Sequence, residues 1–340
     1  MIRPFGLRDV LAVRQLQPRG VAFDLRRLLL RPSWPSRAAI LGYLTRHHIG
    51  PLTYIEENDA GRPIGFVQVW RRANPDEWDL AYLAPSFEYE RGTADLWLSL
   101  LTQLVRVGGE RCVSRIYARP AEDWEIEAVL RQAGFTAVVR EEVFVLARSS
   151  APAPAPRGLR PVEQQDRPAL EALYAHVVPQ LLHQVEPFPP QRNALGGLAS
   201  RLWVEEYIWA EKGRALAHFW LCGSPRGYWL EMVVRPECRA ESLPCLRYLL
   251  MRTQCSDVKP IYASVPDYGV GLAWVLRTLG FESYHRQVLM VAHTMARARV
   301  RRPLLAARME DISTSIGRVP SSIRTLPQCP LPTDRHPMMR

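Results

Sequence analysis

Apolar positions along this chain recur with two periods, one helical and one extended. After Gly92, Leu96, Leu100, Leu101, Leu104 and Val105 fall at helical spacing, and Trp124–Ala133 reads as a second amphipathic helix closed by Gly134. Tyr54-Ile55 and the residues after Gly61-Arg62 flank a turn between two apolar runs, which predicts a hairpin, and a further strand runs from Trp78 to Leu83 and closes at Pro85. The same landmarks then return in the same order. Arg3-Pro4 with Asp9 recurs as Arg160-Pro161 with Asp166, the hairpin as Tyr207-Ile208 with Gly213-Arg214, and the run from Trp78 as Trp229 to Val234 before Pro236. Ile116-Tyr117-Ala118 matches Ile261-Tyr262-Ala263, Gly134-Phe135 matches Gly280-Phe281, and Val143 to Ala147 matches Val288 to Ala292. The spacing between partners drifts from 157 to 145 residues, as expected if the second copy has shorter surface loops. Each copy predicts strand, helical region, hairpin, strand, helix, strand, helix, strand. The fold class is α/β, a mixed sheet flanked by helices, occurring twice.

The alternating prolines of Ala151-Pro152-Ala153-Pro154-Ala155-Pro156 remove backbone donors and favour a stiff, extended spacer. They divide the chain into a first domain at 1–148, a linker at 149–157, and a second domain at 158–295. From 296 to 340 periodicity is lost among scattered prolines, which predicts a disordered tail. That tail holds nine Arg against Glu310, Asp311 and Asp334, so +6 of the total charge of +10 lies outside the two domains. The basic balance therefore does not predict a nucleic-acid surface on the folded part; the Arg-rich tail is the one segment with that potential.

With 340 residues, 47% of them hydrophobic, each copy has enough apolar surface for its own core. The six cysteines form no CxxC pair and no zinc-ligand spacing with His, which predicts reduced thiols and no metal site. No apolar run approaches the ~20 residues of a membrane span, and no signal-peptide core follows Met1, so the expected location is cytoplasmic, without a membrane partner.

This order of elements, with a helix ending in Gly-Phe before the last strand, resembles the GNAT superfamily of acyl-CoA-dependent N-acetyltransferases. The resemblance implies two tandem GNAT-like domains, each with a V-shaped sheet whose fourth and fifth strands splay to admit the pantetheine arm of acyl-CoA. The edge implied for that contact is Leu80 to Ala84 in the first copy, with Leu83 and Ala84 at its end, and Glu231 to Arg235 in the second. The family's loop Gln/Arg-x-x-Gly-x-Gly/Ala, which holds the pyrophosphate on backbone amides at a helix N-terminus, is matched in part by Arg91, Gly92, Thr93 and Ala94. Tyr89 stands where Gln or Arg is expected. The corresponding stretch Pro236–Pro244 has no glycine, which places the expected acetyl-CoA or other acyl-CoA site in the first copy.

The resemblance also implies a Tyr four residues before the helix-ending glycine; Leu130 and Leu276 occupy those positions. Tyr117 and Tyr262 are the replacement candidates for the acid, although a strand tyrosine also serves simply to pack. Asp79 and Glu231, on the fourth strands, are candidates for the base that an ammonium acceptor requires, or residues of a solvated strand face. His218 and His293 read as core histidines, and an apolar acceptor pocket between Trp203 and Trp220 remains open. Two functions fit: an N-acyltransferase moving an acyl group to an amine-bearing small molecule or peptide by direct attack, or a non-catalytic scaffold binding CoA, a metabolite or a partner protein.

Overall fold

Arg3 and Asp9 explain why the repeat begins where it does. Asp9 accepts a bidentate pair from the Arg3 guanidinium at 2.7 Å and 2.7 Å, and Asp166 accepts the same pair from Arg160 at 2.6 Å and 2.6 Å. In both copies the pair ties the opening strand to the turn that starts the first helix. The computed structural model describes residues 2–32, 34–88, 93–147, 153–186, 202–254 and 259–294; Arg91, Gly92, linker residues 149–152 and the tail lie outside the described residues.

The first half runs β1 (Ile2–Pro4), α1 (Val10–Leu16), β2 (Val21–Ala22), α2 (Leu25–Leu30), α3 (Pro35–Leu44), β3 (Leu52–Glu57), β4 (Pro63–Arg71), β5 (Glu77–Ala84), α4 (Thr93–Glu110), β6 (Arg115–Ala118), α5 (Trp124–Gln132) and β7 (Phe135–Leu146). The second runs β8 (Leu159–Pro161), α6 (Arg167–Val177), α7 (Gln180–Val185), β9 (Trp203–Glu211), β10 (Arg214–Ser224), β11 (Gly227–Val234), α8 (Leu243–Gln254), β12 (Ile261–Pro266), α9 (Leu272–Thr278) and β13 (Glu282–His293). Gly134 at φ +92° and Gly280 at φ +88° take the left-handed conformation that turns α5 and α9 into the last strands.

All the strands join one mixed sheet, and the order of its main path is β1-β3-β4-β5-β6-β13-β7-β12-β11-β10-β9-β8. The last strands are exchanged. β13 lies antiparallel on β6 of the first half (Met290 opposite Ala118), β7 lies antiparallel on β12 of the second (Val143 opposite Ser264), and the two pair with each other. Both have 12 residues and follow the same Gly-Phe landmark, so either fits beside either fifth strand. Exchange leaves neither with a free edge. Each core is completed by the other half: Val288, Met290 and Ala292 pack with Trp97 and Leu104, while Phe144 and Leu146 pack with Leu230 and Leu246.

Both halves open a fork between their parallel fourth and fifth strands. β5 pairs with β6 only over Glu77–Asp79, and β11 with β12 over Tyr228–Glu231; beyond these positions the arms part. In the first fork the chain has placed its own residues. Val21 and Ala22 pair with Leu83 and Tyr82, the Phe23 N–H donates to Ala81 O at 2.9 Å, and the Phe23 carbonyl accepts from the Arg119 N–H at 3.2 Å. Phe23 thus bridges both arms as an added strand would. No strand pairs in this way with Met232–Val234 among the described residues. The edge Leu80 to Ala84, where the acyl-CoA contact was expected, is thus met by the chain's own Val21–Phe23.

Gly20 permits this close approach, because a Cβ there would stand 2.3 Å from Tyr82 Cε1 and 2.7 Å from the Leu83 carbonyl oxygen. Gly20→Ala is expected to cost about 1–3 kcal/mol by overpacking, read as a lower urea midpoint. An unchanged midpoint would show that the inserted segment is loosely held.

Candidate functional site

The second fork opens into a cavity of about 480 Å³ between the halves. Met232 and Val233 on one arm, and Pro266 and Tyr268 on and just beyond the other, line it, together with Trp220 and Trp229 from β10 and β11. The exchanged strands supply Val139, Glu141 and Gln287. The volume is that of a small-molecule site, and charged and polar groups line it as fully as apolar ones.

One wall is an ion network that locks α7 of the second half to the first. Arg72 pairs with Glu186 at 2.7 Å, Asp79 at 3.1 Å and Glu77 at 3.7 Å, while Arg119 reaches Glu186 at 2.9 Å and Glu141 at 3.9 Å. Burial alone would raise the proton affinity of Glu186, but the Arg119 and Arg72 guanidiniums override it and hold its carboxyl at about 2. Asp79 and Tyr117 belong to this wall rather than to the cavity lining. The Tyr117 hydroxyl donates to Val185 O at 2.5 Å, the Arg72 guanidinium lies 3.9 Å over its ring, and burial pushes the phenol up to about 12.

Glu231 does line the cavity. Its Oε1 accepts from Arg26 Nη1 at 3.0 Å and from Trp229 Nε1 at 3.0 Å. Arg26 arrives from α2 of the first half, so the segment that fills one fork also reaches the carboxylate beside the other.

Glu141, Gln287 and Tyr268 complete the set and were not singled out from the sequence. Glu141 Oε2 accepts from Gln287 Nε2 at 2.6 Å, and burial raises its proton affinity against the opposing effect of Arg119. Gln287 is 2% exposed and its Oε1 has no hydrogen-bond donor among the described residues. Burial, reinforced by the charges of Glu141, Glu186 and Glu231, raises the Tyr268 phenol and keeps it protonated. In β7 the signal was Glu141 alternating with Val139 and Val143, a carboxylate on an otherwise apolar face.

The remaining sequence candidates are dispersed. Leu83 and Ala84 are fully buried, with Leu83 paired to Val21; Thr93 and Ala94 begin α4, the first buried and the second exposed. Tyr262 packs between Trp229 and Tyr284. His218 is a core residue, bonded to the Tyr174 hydroxyl at 2.8 Å and lowered by burial to about 4, whereas His293 is exposed at the end of β13. Trp203 packs edge-to-face against Tyr228, outside the cavity lining. Among the described residues no three metal-ligating side chains converge, and no helix is long and apolar enough to cross a membrane.

No family model and no curated protein matches the chain. Solved structures do. A GCN5-related N-acetyltransferase from Sphaerobacter thermophilus aligns at 15% identity and a TM-score of 0.49, over 86% of this chain and 95% of that one. A tandem GNAT protein from the clavulanic acid biosynthesis pathway aligns at 15% and 0.49, over 86% and 98%, and an acetyltransferase from Pyrococcus horikoshii, described as putative, at 11% and 0.49, over 86% and 89%. The chain's own strand order carries the architecture: two copies of one α/β arrangement joined in a single mixed sheet with exchanged last strands.

Proposed function

We propose that the protein moves an acyl group, acetyl being the simplest, from acyl-CoA to a small amine, with the thioester in the second fork and the amine in the cavity between the halves. One observation carries this: both arms of the second fork line the cavity, and no strand of the chain lies between them among the described residues. The first fork, where the partial pyrophosphate motif suggested the donor site, is filled by Phe23 and takes a structural role in this proposal.

The acceptor arrives mainly as an ammonium ion. Glu231 attracts it, and Glu141, whose proton affinity burial has raised, takes one of its protons. The freed lone pair forms the C–N bond as the C–S bond breaks, with backbone N–H groups on the fork side of the β11 arm polarising the thioester carbonyl. Tyr268 gives its phenolic proton to the departing thiolate and regains the proton shed by the new amide nitrogen. Glu141 then releases its proton to solvent, so the products are an amide, a free thiol and one proton. Asp79 and Tyr117 act in this scheme by fixing the wall.

Thiol release from acetyl-CoA in the presence of a panel of primary amines tests this. Tyr268→Phe is expected to lower kcat by about 100-fold, while Tyr117→Phe leaves it within about threefold, the effect of a structural change away from the reacting atoms. The reverse order would refute the assignment. A second reading, a binding scaffold without chemistry, is favoured by the glycine-free Pro236–Pro244 loop and by Arg239, which donates to the carbonyl oxygens of Tyr268 and Val270 across the fork's mouth. It predicts amine binding with no thiol release by any variant.

A further inference from the structure

Resting on the proposal that the cavity holds the acceptor, we infer that its ligand is a small amine with one positive charge and an apolar body, seated with its ammonium among Glu141, Gln287 and Glu231. Among the described residues, the charges that line the cavity, or pair with those that do, nearly balance. The carboxylates are Asp24, Glu77, Asp79, Glu141, Glu186 and Glu231. The guanidiniums are Arg26, Arg27, Arg72, Arg115 and Arg119. Six negative groups face five positive ones, and a net charge in a poorly solvated space is costly. Without a ligand, a proton on Glu141 restores the balance; a monocation does the same and leaves the carboxylate ionised. A dication overshoots, and an anion or a zwitterion leaves the deficit in place.

Gln287 supports the same seat independently. Its Nε2 is committed as donor to Glu141, which fixes the orientation of the amide and leaves Oε1 as an acceptor without a donor, in a side chain only 2% exposed. A buried unpaired acceptor beside a carboxylate calls for an N–H. Around it, Trp220, Trp229, Met232, Val233, Val139 and Leu182 offer apolar and aromatic surface to the rest of the ligand, which cation–π contact with the indoles would reinforce. Arg26 shows such an arrangement from within the chain: its guanidinium lies 5.4 Å from the Trp220 ring centroid and 3.0 Å from Glu231 Oε1.

The test is calorimetric titration of the full chain, without acetyl-CoA, with 2-phenylethylamine, its N,N,N-trimethyl derivative, phenylalanine, 3-phenylpropionate and 1,5-diaminopentane. 2-Phenylethylamine is expected to bind about tenfold or more tighter than phenylalanine, 3-phenylpropionate and 1,5-diaminopentane, and its trimethyl derivative, which matches the charge but offers no N–H to Gln287 Oε1, to bind between them. Glu231→Gln should weaken 2-phenylethylamine about tenfold. Arg26→Gln leaves six negative groups against four positive, and should strengthen the diamine about tenfold, a gain that damaged folding cannot produce. Equal binding of phenylalanine or phenylpropionate, or an unchanged diamine affinity in Arg26→Gln, overturns the inference. The trimethyl derivative cannot be acylated, so its binding is independent of acyl transfer. Failure of the charge rule and failure of the acyltransferase proposal are therefore seen in different experiments.

Discussion

Phe23→Ala lowers the unfolding free energy by about 3–5 kcal/mol, the cost of emptying a buried aromatic site. Phe23 is 1% exposed and packs 5.7 Å from the Trp97 ring, which in turn lies 4.4 Å from Phe87 and donates its Nε1–H to Pro85 O at 2.6 Å. These rings fill the space beneath the first fork, where the resemblance to acyl-CoA enzymes implies a pantetheine arm. The truncation leaves a void between arms that have already parted and cannot close together. The measurement is a urea titration, in which the midpoint falls while the slope is retained. Phe23→Leu should keep most of the stability, because it removes little volume. A loss below about 1 kcal/mol for the alanine variant would mean that the fork collapses without its occupant, contrary to a built-in plug.

Glu186→Gln is expected to cost about 3–5 kcal/mol, because it leaves Arg72 and Arg119 buried around a neutral group. The same carboxylate predicts a pH dependence. Its folded-state value of about 2 lies below the ordinary glutamate value near 4.3, so the unfolded chain binds the proton more tightly. The stabilisation is complete above about pH 5 and is lost as pH falls toward about 2. Chemical denaturation across that range should show a slope in the wild type that is shallower in Glu186→Gln. Equal slopes would mean that Glu186 is not the group held ionised between the two guanidiniums.

The sequence made the repeat legible because its landmarks are local and physical. Arg3 with Asp9 and Arg160 with Asp166 are pairs that cap a turn, and Gly134 and Gly280 are positions where only a left-handed residue ends the helix. Strand exchange was not legible for the same reason. β7 and β13 carry equivalent patterns, so neither states which fifth strand it will join. Nor do Val21-Ala22-Phe23 look different from a loop with apolar residues; what makes them a plug is the parting of two strands some 60 and 95 residues further on. Glu231 was found because it sits on a recognisable fourth strand. Glu141, Gln287 and Tyr268 meet it only once the last strands have crossed, and Glu186 finds Arg72 only across the two halves.

The central claim is that only the second fork is available to an acyl-CoA. Its most direct test is titration with acetyl-CoA and desulfo-CoA, with hydrogen exchange followed along the chain at saturation. The account predicts one site per chain, with slowed exchange at Met232–Val234 and around Tyr268, and no change at Leu80–Ala84. Protection at Leu80–Ala84 and the start of α4, or no binding at millimolar ligand, would contradict it.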